Sequence, residues 1–181
     1  MTAPSQQAAW QAQLADGSLA GNWRLDPARS TATLRSKSMW GLVPVKGVFR
    51  DLDGSATISA TGEVTGRITL ATGSLDTKNA RRDKHLRSED FFLSEKFPVI
   101  TFTLDKLTPA STGAVLSGTL TVRDHSRPIT FNAEASPAGD GDVVLDATIQ
   151  VDRSEYGLNW NKLGMVSMHN TITIHTVFTR G

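Results

Sequence analysis

The chain has 181 residues, with 19 Lys and Arg against 18 Asp and Glu, and no Cys. That length predicts one domain that buries a core unaided. The missing Cys excludes a disulfide framework, a thiolate nucleophile and a Cys-based zinc site. The two signs of charge are mixed, with no basic run beyond Arg81-Arg82, so neither nucleic acid nor a polybasic membrane contact is indicated.

Residues 1–21 read as an N-terminal helical extension and linker, and 22–181 as the main domain. The spacing predicts a helix over 5–16, capped by Ser5, carrying Trp10 and Leu14 one turn apart and ended by Gly17. So short a helix is not stable alone, and Trp10 and Leu14 are expected to dock on the main body; a frayed extension is the alternative. The first residues lack a basic start and a continuous apolar run, unlike a secretory leader. No stretch approaches the ~20 apolar residues needed to cross a bilayer. A cytoplasmic location without stable membrane insertion is the expectation.

From Trp23 onward apolar and polar residues alternate as in half-buried strands. Residues 31–38 place Ala32 and Leu34 on one face. A loop rich in large apolar groups follows, with Met39, Trp40, Leu42 and Val43 before Pro44, an unusual composition for a water-facing turn. Val45 and Phe49 then share a face, Gly54 is read as a turn, and Gly62 closes a short hairpin. The next strand directs Val64, Ile68 and Leu70 one way. Beyond a central interruption, Ile100, Phe102 and Leu104 point inward, followed by Leu116, Leu120 and Val122, then Ile129, Phe131 and Ala133. Val143, Leu145, Ala147, Ile149 and Val151 repeat the pattern. So do Met168, Ile172, Ile174 and Phe178 in the last strand.

The interruption, Arg81 to Phe102, is dense in charge and then abruptly aromatic. It reads as a short helical cap over about 78–90, with Phe91 and Phe92 as a plug. About eight antiparallel strands with one apolar face each form either a sandwich or a closed barrel. Closure removes exposed edges and leaves room for one small ligand. The inward residues are almost all aliphatic or Phe, so a cavity here is expected to hold hydrocarbon. Phosphate-loop, dinucleotide, zinc-protease and nucleophile-elbow patterns are absent. His169 and His175 lie ~20 Å apart along one strand face and cannot share a metal.

Several short motifs resemble a known family. They are Asp26-Pro27 with Ser30, Gly47 with Phe49, Ser74-Leu75-Asp76-Thr77, and Arg82-Asp83 with His85-Leu86. Further on come Ser88 with Asp90-Phe91-Phe92, Lys96-Phe97-Pro98 with Thr101-Phe102, Gly118 with Leu120-Thr121-Val122, and Asp152-Arg153 with Tyr156-Gly157-Leu158. In this order, over about residues 23–179, the chain resembles the YceI-like, polyisoprenoid-binding proteins. The loop at 38–47 and the closing strand look like a cytoplasmic actinobacterial-type subgroup.

The resemblance implies an all-β fold, an extended eight-stranded antiparallel lipocalin-like barrel with a helical cap. It also implies an apolar cavity for a polyprenyl lipid or the tail of an isoprenoid quinone, with no required cofactor. The residues expected to line that cavity are Leu34, Trp40, Phe49, Ile68, Leu70, Phe91, Phe92, Ile100, Phe102, Leu104, Leu116, Leu120, Phe131, Leu145, Ile149, Trp160, Met168, Ile172 and Ile174. Asp83, His85, Arg153 and Asn161 are placed at the polar rim or cap. Asp83 and Arg153 are expected to pair and pin the cap to the barrel, and His85 to lie nearest a head group.

Three functions follow. The first is a carrier, store or sequestering protein for an isoprenoid lipid. The second is an enzyme using His85, Asp83 or Tyr156 for proton transfer. The third is a barrel filled by its own side chains, whose exposed apolar loop engages a protein partner or forms a homodimer.

Overall fold

The computed structural model describes the backbone of residues 3–111 and 113–181. Two helices and eleven strand segments follow in order: α1 (Ala3–Ala15), β1 (Gly21–Leu25), β2 (Thr31–Ser38), β3 (Val43–Phe49), β4 (Leu52–Ile58), β5 (Val64–Ala71), β6 (Leu75–Asp76), α2 (Ala80–Arg87), β7 (Val99–Ala110), β8 (Gly113–Val122), β9 (His125–Pro137), β10 (Val143–Asp152) and β11 (His169–Arg180). All pairings between them are antiparallel.

The eleven segments make eight barrel strands. β1 and β2 run one after the other along β11, with Leu25 opposite Phe178 and Thr31 opposite His175. β3 and β4 likewise form one interrupted strand, as do β5 and β6. The ladder then runs up and down through β7, β8, β9, β10 and β11 and returns to β1, closing the barrel. Closure leaves no open edge and directs alternate residues into one lumen. Gly54, expected at a turn, lies inside β4. A Cβ there would come within 3.2 Å of the Leu25 side chain, so a close strand approach, not a bend, requires the small residue.

The break between β1 and β2 is bridged by hydrogen bonds to one residue. The Val177 amide donates to Ser30 Oγ at 3.0 Å, and the Asp26 amide donates to the Val177 carbonyl at 2.8 Å. Ser30 is buried, and its hydroxyl replaces the ladder partner that the break removes.

The two barrel ends are closed differently. α1 covers one, with Trp10 and Leu14 buried in the same core as Trp23, Leu104 and Phe178. The Gln11 side-chain amide donates to the Ala110 carbonyl across the β7–β8 turn. Gly62, with φ +85°, lets the β4–β5 turn meet the end of α1, where a Cβ would stand 2.8 Å from the Leu14 carbonyl oxygen. The helix starts at Ala3, so Ser5 lies inside it and is not its cap. α2 and the turn after it cover the opposite end. Near that end the β9–β10 ladder stops at Ala133 and Ala147. There the single turn Arg153–Tyr156 spans the gap, held by Arg127 Nε donating to the Glu155 carbonyl at 3.2 Å.

Two outcomes test this framework. Ser30→Ala strands the buried Val177 N–H and is expected to destabilise the barrel by about 1–3 kcal/mol, read from denaturant midpoints. Asp76 accepts from the Lys78 amide and from Arg50, which together hold its carboxyl at about 2 against an ordinary 3.8. Its contribution is full above the ordinary value and fades as pH falls toward about 2. Asp76→Asn therefore lowers the melting temperature at neutral pH, and the gap from wild type narrows on acidification through the carboxylate range.

Candidate functional site: a capped apolar chamber

The cap is built on polar anchors. Asn79 starts α2 by accepting the Arg82 amide at 3.0 Å. Eight residues are too few for a stable isolated helix, so its place depends on contacts outside it. Asp83 supplies them. Its buried carboxylate accepts the Thr77 amide at 3.0 Å and the Thr77 hydroxyl at 2.5 Å. Arg82 returns to the same residue, through Nε to Thr77 Oγ1 at 2.8 Å and through an Nη to its carbonyl at 2.9 Å.

The chain after α2 folds back on the helix. The Phe92 amide donates to the Leu86 carbonyl, and Ser94 to Arg87. Phe91 and Phe92 are thereby buried facing the lumen. Arg123 ties the turn to β8 by donating to the carbonyls of Glu89 and Phe91 at 3.2 and 3.1 Å.

Arg153 does not pair with Asp83. Its guanidinium donates to the carbonyls of Leu158 (2.6 Å), Ser167 (3.0 Å) and Val166 (3.3 Å), while Asp83 is taken by Thr77. Arg153 clamps the 157–168 loop and lies 5.5 Å over the Phe91 ring. Burial pushes its pKa down, offset in part by Asp152. A planar donor fork surrounded by carbonyls explains why Arg rather than Lys stands here.

Beneath the cap lies a cavity of about 300 Å³. Among the residues expected to line it, Leu34, Phe49, Phe91, Phe92, Ile100, Leu120, Trp160 and Ile172 do so, together with His85 and Arg153. Ile68, Phe102, Leu104, Leu116 and Leu145 instead surround a separate space of about 70 Å³ below α1. The two spaces share no lining residue. Their boundary passes between Leu120 and Phe102, which are direct cross-strand partners. The Phe102 ring also packs on Phe131 at 5.2 Å. Leu70, Phe131, Ile149 and Ile174 belong to the core without lining either space.

Two expected lining residues lie elsewhere. Trp40 is exposed on the β2–β3 turn, where its backbone is left-handed and its indole donates to the Leu163 carbonyl of a neighbouring turn. Met168 precedes β11, beyond the register that alternates into the lumen. Asn161 Oδ1 accepts the Val166 amide at 2.9 Å and shapes its own loop.

His85 stands at the chamber wall, with Nε2 2.8 Å from Asp90 Oδ2. Its ring meets Trp160 edge-on at 4.5 Å and Phe91 at 5.1 Å, while Phe91 and Trp160 are 5.4 Å apart. These three rings, from α2, the turn after it and the 157–161 loop, form an aromatic cluster on one wall. Tyr156, Leu158 and Val166 also line the chamber, although their loop carries no strand periodicity to reveal them. Burial raises the Tyr156 pKa. Ser36 Oγ is buried at the wall and has no hydrogen-bond partner among the described residues.

Asp83→Ala removes both Asp83 bonds to Thr77 and leaves the Thr77 amide unpaired, while the Arg82 and Arg123 anchors remain. A loss of about 1–3 kcal/mol in unfolding free energy is expected, with faster hydrogen exchange across 79–94 than in the β10–β11 ladder.

A family model described as the YceI-like domain matches residues 23–178. A UPF0312 protein of Photorhabdus laumondii is 34% identical over 69% of this chain and 67% of its own length. Protein YceI of Escherichia coli is 35% identical over 52% of this chain and 50% of its own, so that alignment spans about half of the relative. Among solved structures, Burkholderia cenocepacia BcnA has a TM-score of 0.77 at 21% identity, covering 84% of this chain and 98% of that one. A polyisoprenoid binding domain from Saccharophagus degradans gives 0.70 at 16%, covering 88% and 98%. The Campylobacter jejuni YceI protein gives 0.64 at 26%, covering 74% and 83%. The first two likenesses establish the shared barrel alone. The family match across almost the whole barrel establishes more: the chain belongs to the YceI-like family.

Proposed function

We propose that the chain binds the tail of an isoprenoid lipid in the capped chamber and acts as its carrier, store or sequestering protein. The observation that carries this is a chamber of about 300 Å³ whose wall is mainly aliphatic and aromatic. The Arg153 N–H groups that would recognise a polar ligand are already directed to protein carbonyls. Family membership and the printed function of the Saccharophagus domain support the same ligand class. A polyprenyl lipid and a quinone with an isoprenoid tail both fit. The unpaired Ser36 hydroxyl offers one hydrogen bond to an oxygen of either.

The dimensions bound the affinity. At ~30 Å³ for each water-sized group, the chamber holds about ten carbons, or two isoprene units. At ~0.8 kcal/mol per buried carbon, those units contribute roughly 8 kcal/mol before ordering costs. A micromolar complex needs ~8 kcal/mol net. Two units therefore fall short, and further units must lie in the mouth or reach the small space below α1. The second route requires the Phe102 ring to move.

Isoprenoid alcohols of two, three and four units, delivered from cyclodextrin and followed by native mass spectrometry, test this. Affinity is expected to rise with each unit, and Phe102→Leu to favour the longest. Equal affinity for all lengths, or no retained alcohol at all, would overturn the proposal.

A further inference from the structure

Six large apolar residues are exposed among the described residues, and five of them sit on or directly beside two neighbouring turns. Met39, Trp40 and Leu42 belong to the β2–β3 turn, Val43 opens β3 directly after it, and Leu163 belongs to the turn before β11. Trp40, Leu42 and Leu163 are 63, 81 and 76% exposed. The turns are fastened together: the Trp40 amide donates to the Met165 carbonyl, and its indole Nε1 to the Leu163 carbonyl, both at 3.2 Å.

Three of these residues hold backbone conformations that large side chains disfavour. Met39, Trp40 and Leu163 have φ of 52, 56 and 55°. Glycine would sit there without strain. Large apolar side chains instead stand on strained backbone and contribute little to the core, a combination found at binding surfaces.

The surroundings identify the occupant. Arg35, Lys37, Lys46 and Lys162 are exposed on the same two segments, and no Asp or Glu occurs in 35–46 or 157–169. Arg35 and Lys46 are direct cross-strand partners, and the Trp40–Leu163 hydrogen bond brings the Lys162 turn beside them. A second copy of the chain would bring this charge against itself. An anionic bilayer would pair with all four cations and accept the apolar tips between its head groups. The patch is also continuous with the chamber, whose wall includes Lys37, Ser38, Val166 and Trp160.

We propose that this patch docks the protein on an anionic lipid surface, with the chamber mouth turned to the bilayer, so that ligand passes without crossing open water. This rests on the isoprenoid reading for the cargo but not for the docking.

The test uses ligand-free protein with vesicles of phosphatidylcholine, either alone or mixed with phosphatidylglycerol. The wild type is expected to float with the mixed vesicles and not with phosphatidylcholine alone. Trp40→Ser with Leu42→Ser, and separately Lys46→Glu with Lys162→Glu, are each expected to weaken that binding at least about tenfold. Both double variants should melt like the wild type and load isoprenoid alcohol from cyclodextrin equally well. Wild type that ignores the mixed vesicles, variants that bind them as wild type does, or a dimer dispersed by Trp40→Ser would overturn docking and leave the ligand reading intact. Floating protein that retains no isoprenoid would overturn the ligand reading and leave docking standing.

Discussion

The barrel depends on β11 holding three neighbours. One edge pairs with β10 from Asp152–His169 to Val143–Phe178, while the other is shared between β1 and β2. That edge must pass the interruption at 26–30 without leaving buried amides unpaired, and Val177 marks the spot. Its N–H goes to Ser30 Oγ and its carbonyl to the Asp26 amide. Without those two bonds, closure would leave a polar gap in an otherwise continuous wall. The division between lumen and solvent rests on that closure, and so do the two chambers.

The cap follows a different rule from the barrel it covers. The barrel is held by regular ladders and alternating apolar faces. The cap is held by side chains that substitute for a ladder: Asp83 and Arg82 on Thr77, Arg123 on the Phe91 turn, Arg153 on the 157–168 loop. Each has few substitutes, because a buried polar group is stabilising only when fully partnered. The aromatic rings of Phe91, His85 and Trp160 meet where these polar anchors converge. Thus the least regular part of the fold borders the larger of the two apolar spaces.

Alternation made most of the barrel legible. The inward faces of 64–70, 100–104 and 116–122 were readable because strand side chains repeat every two residues. The Asp-Pro and Ser pieces of the family pattern acquire a physical meaning at the β1–β2 break. Long-range polar partners were not legible, since spacing says nothing about which acceptor an arginine reaches. Hence Asp83 and Arg153 looked like a pair, whereas each is satisfied by neighbours within a few residues or across a loop. Trp40 looked like lumen because an apolar run carries no sign of left-handed backbone. Phe102 and Leu120 were both readable as inward, yet the partition between them is a matter of ring packing in three dimensions.

The pairing of β1 with β11 joins residues near the two ends of the chain. Arg180 reaches back 160 residues to the Ala20 carbonyl. During synthesis one edge of β1 can pair with β4 early, while its other edge stays unpaired until β11 has left the ribosome. Until then the nascent chain is an open, curling sheet with an apolar concave face, and loop closure of this length makes the final step slow. A chain delayed at this point exposes that face and an unpaired strand edge, the condition in which β-structures associate with other chains.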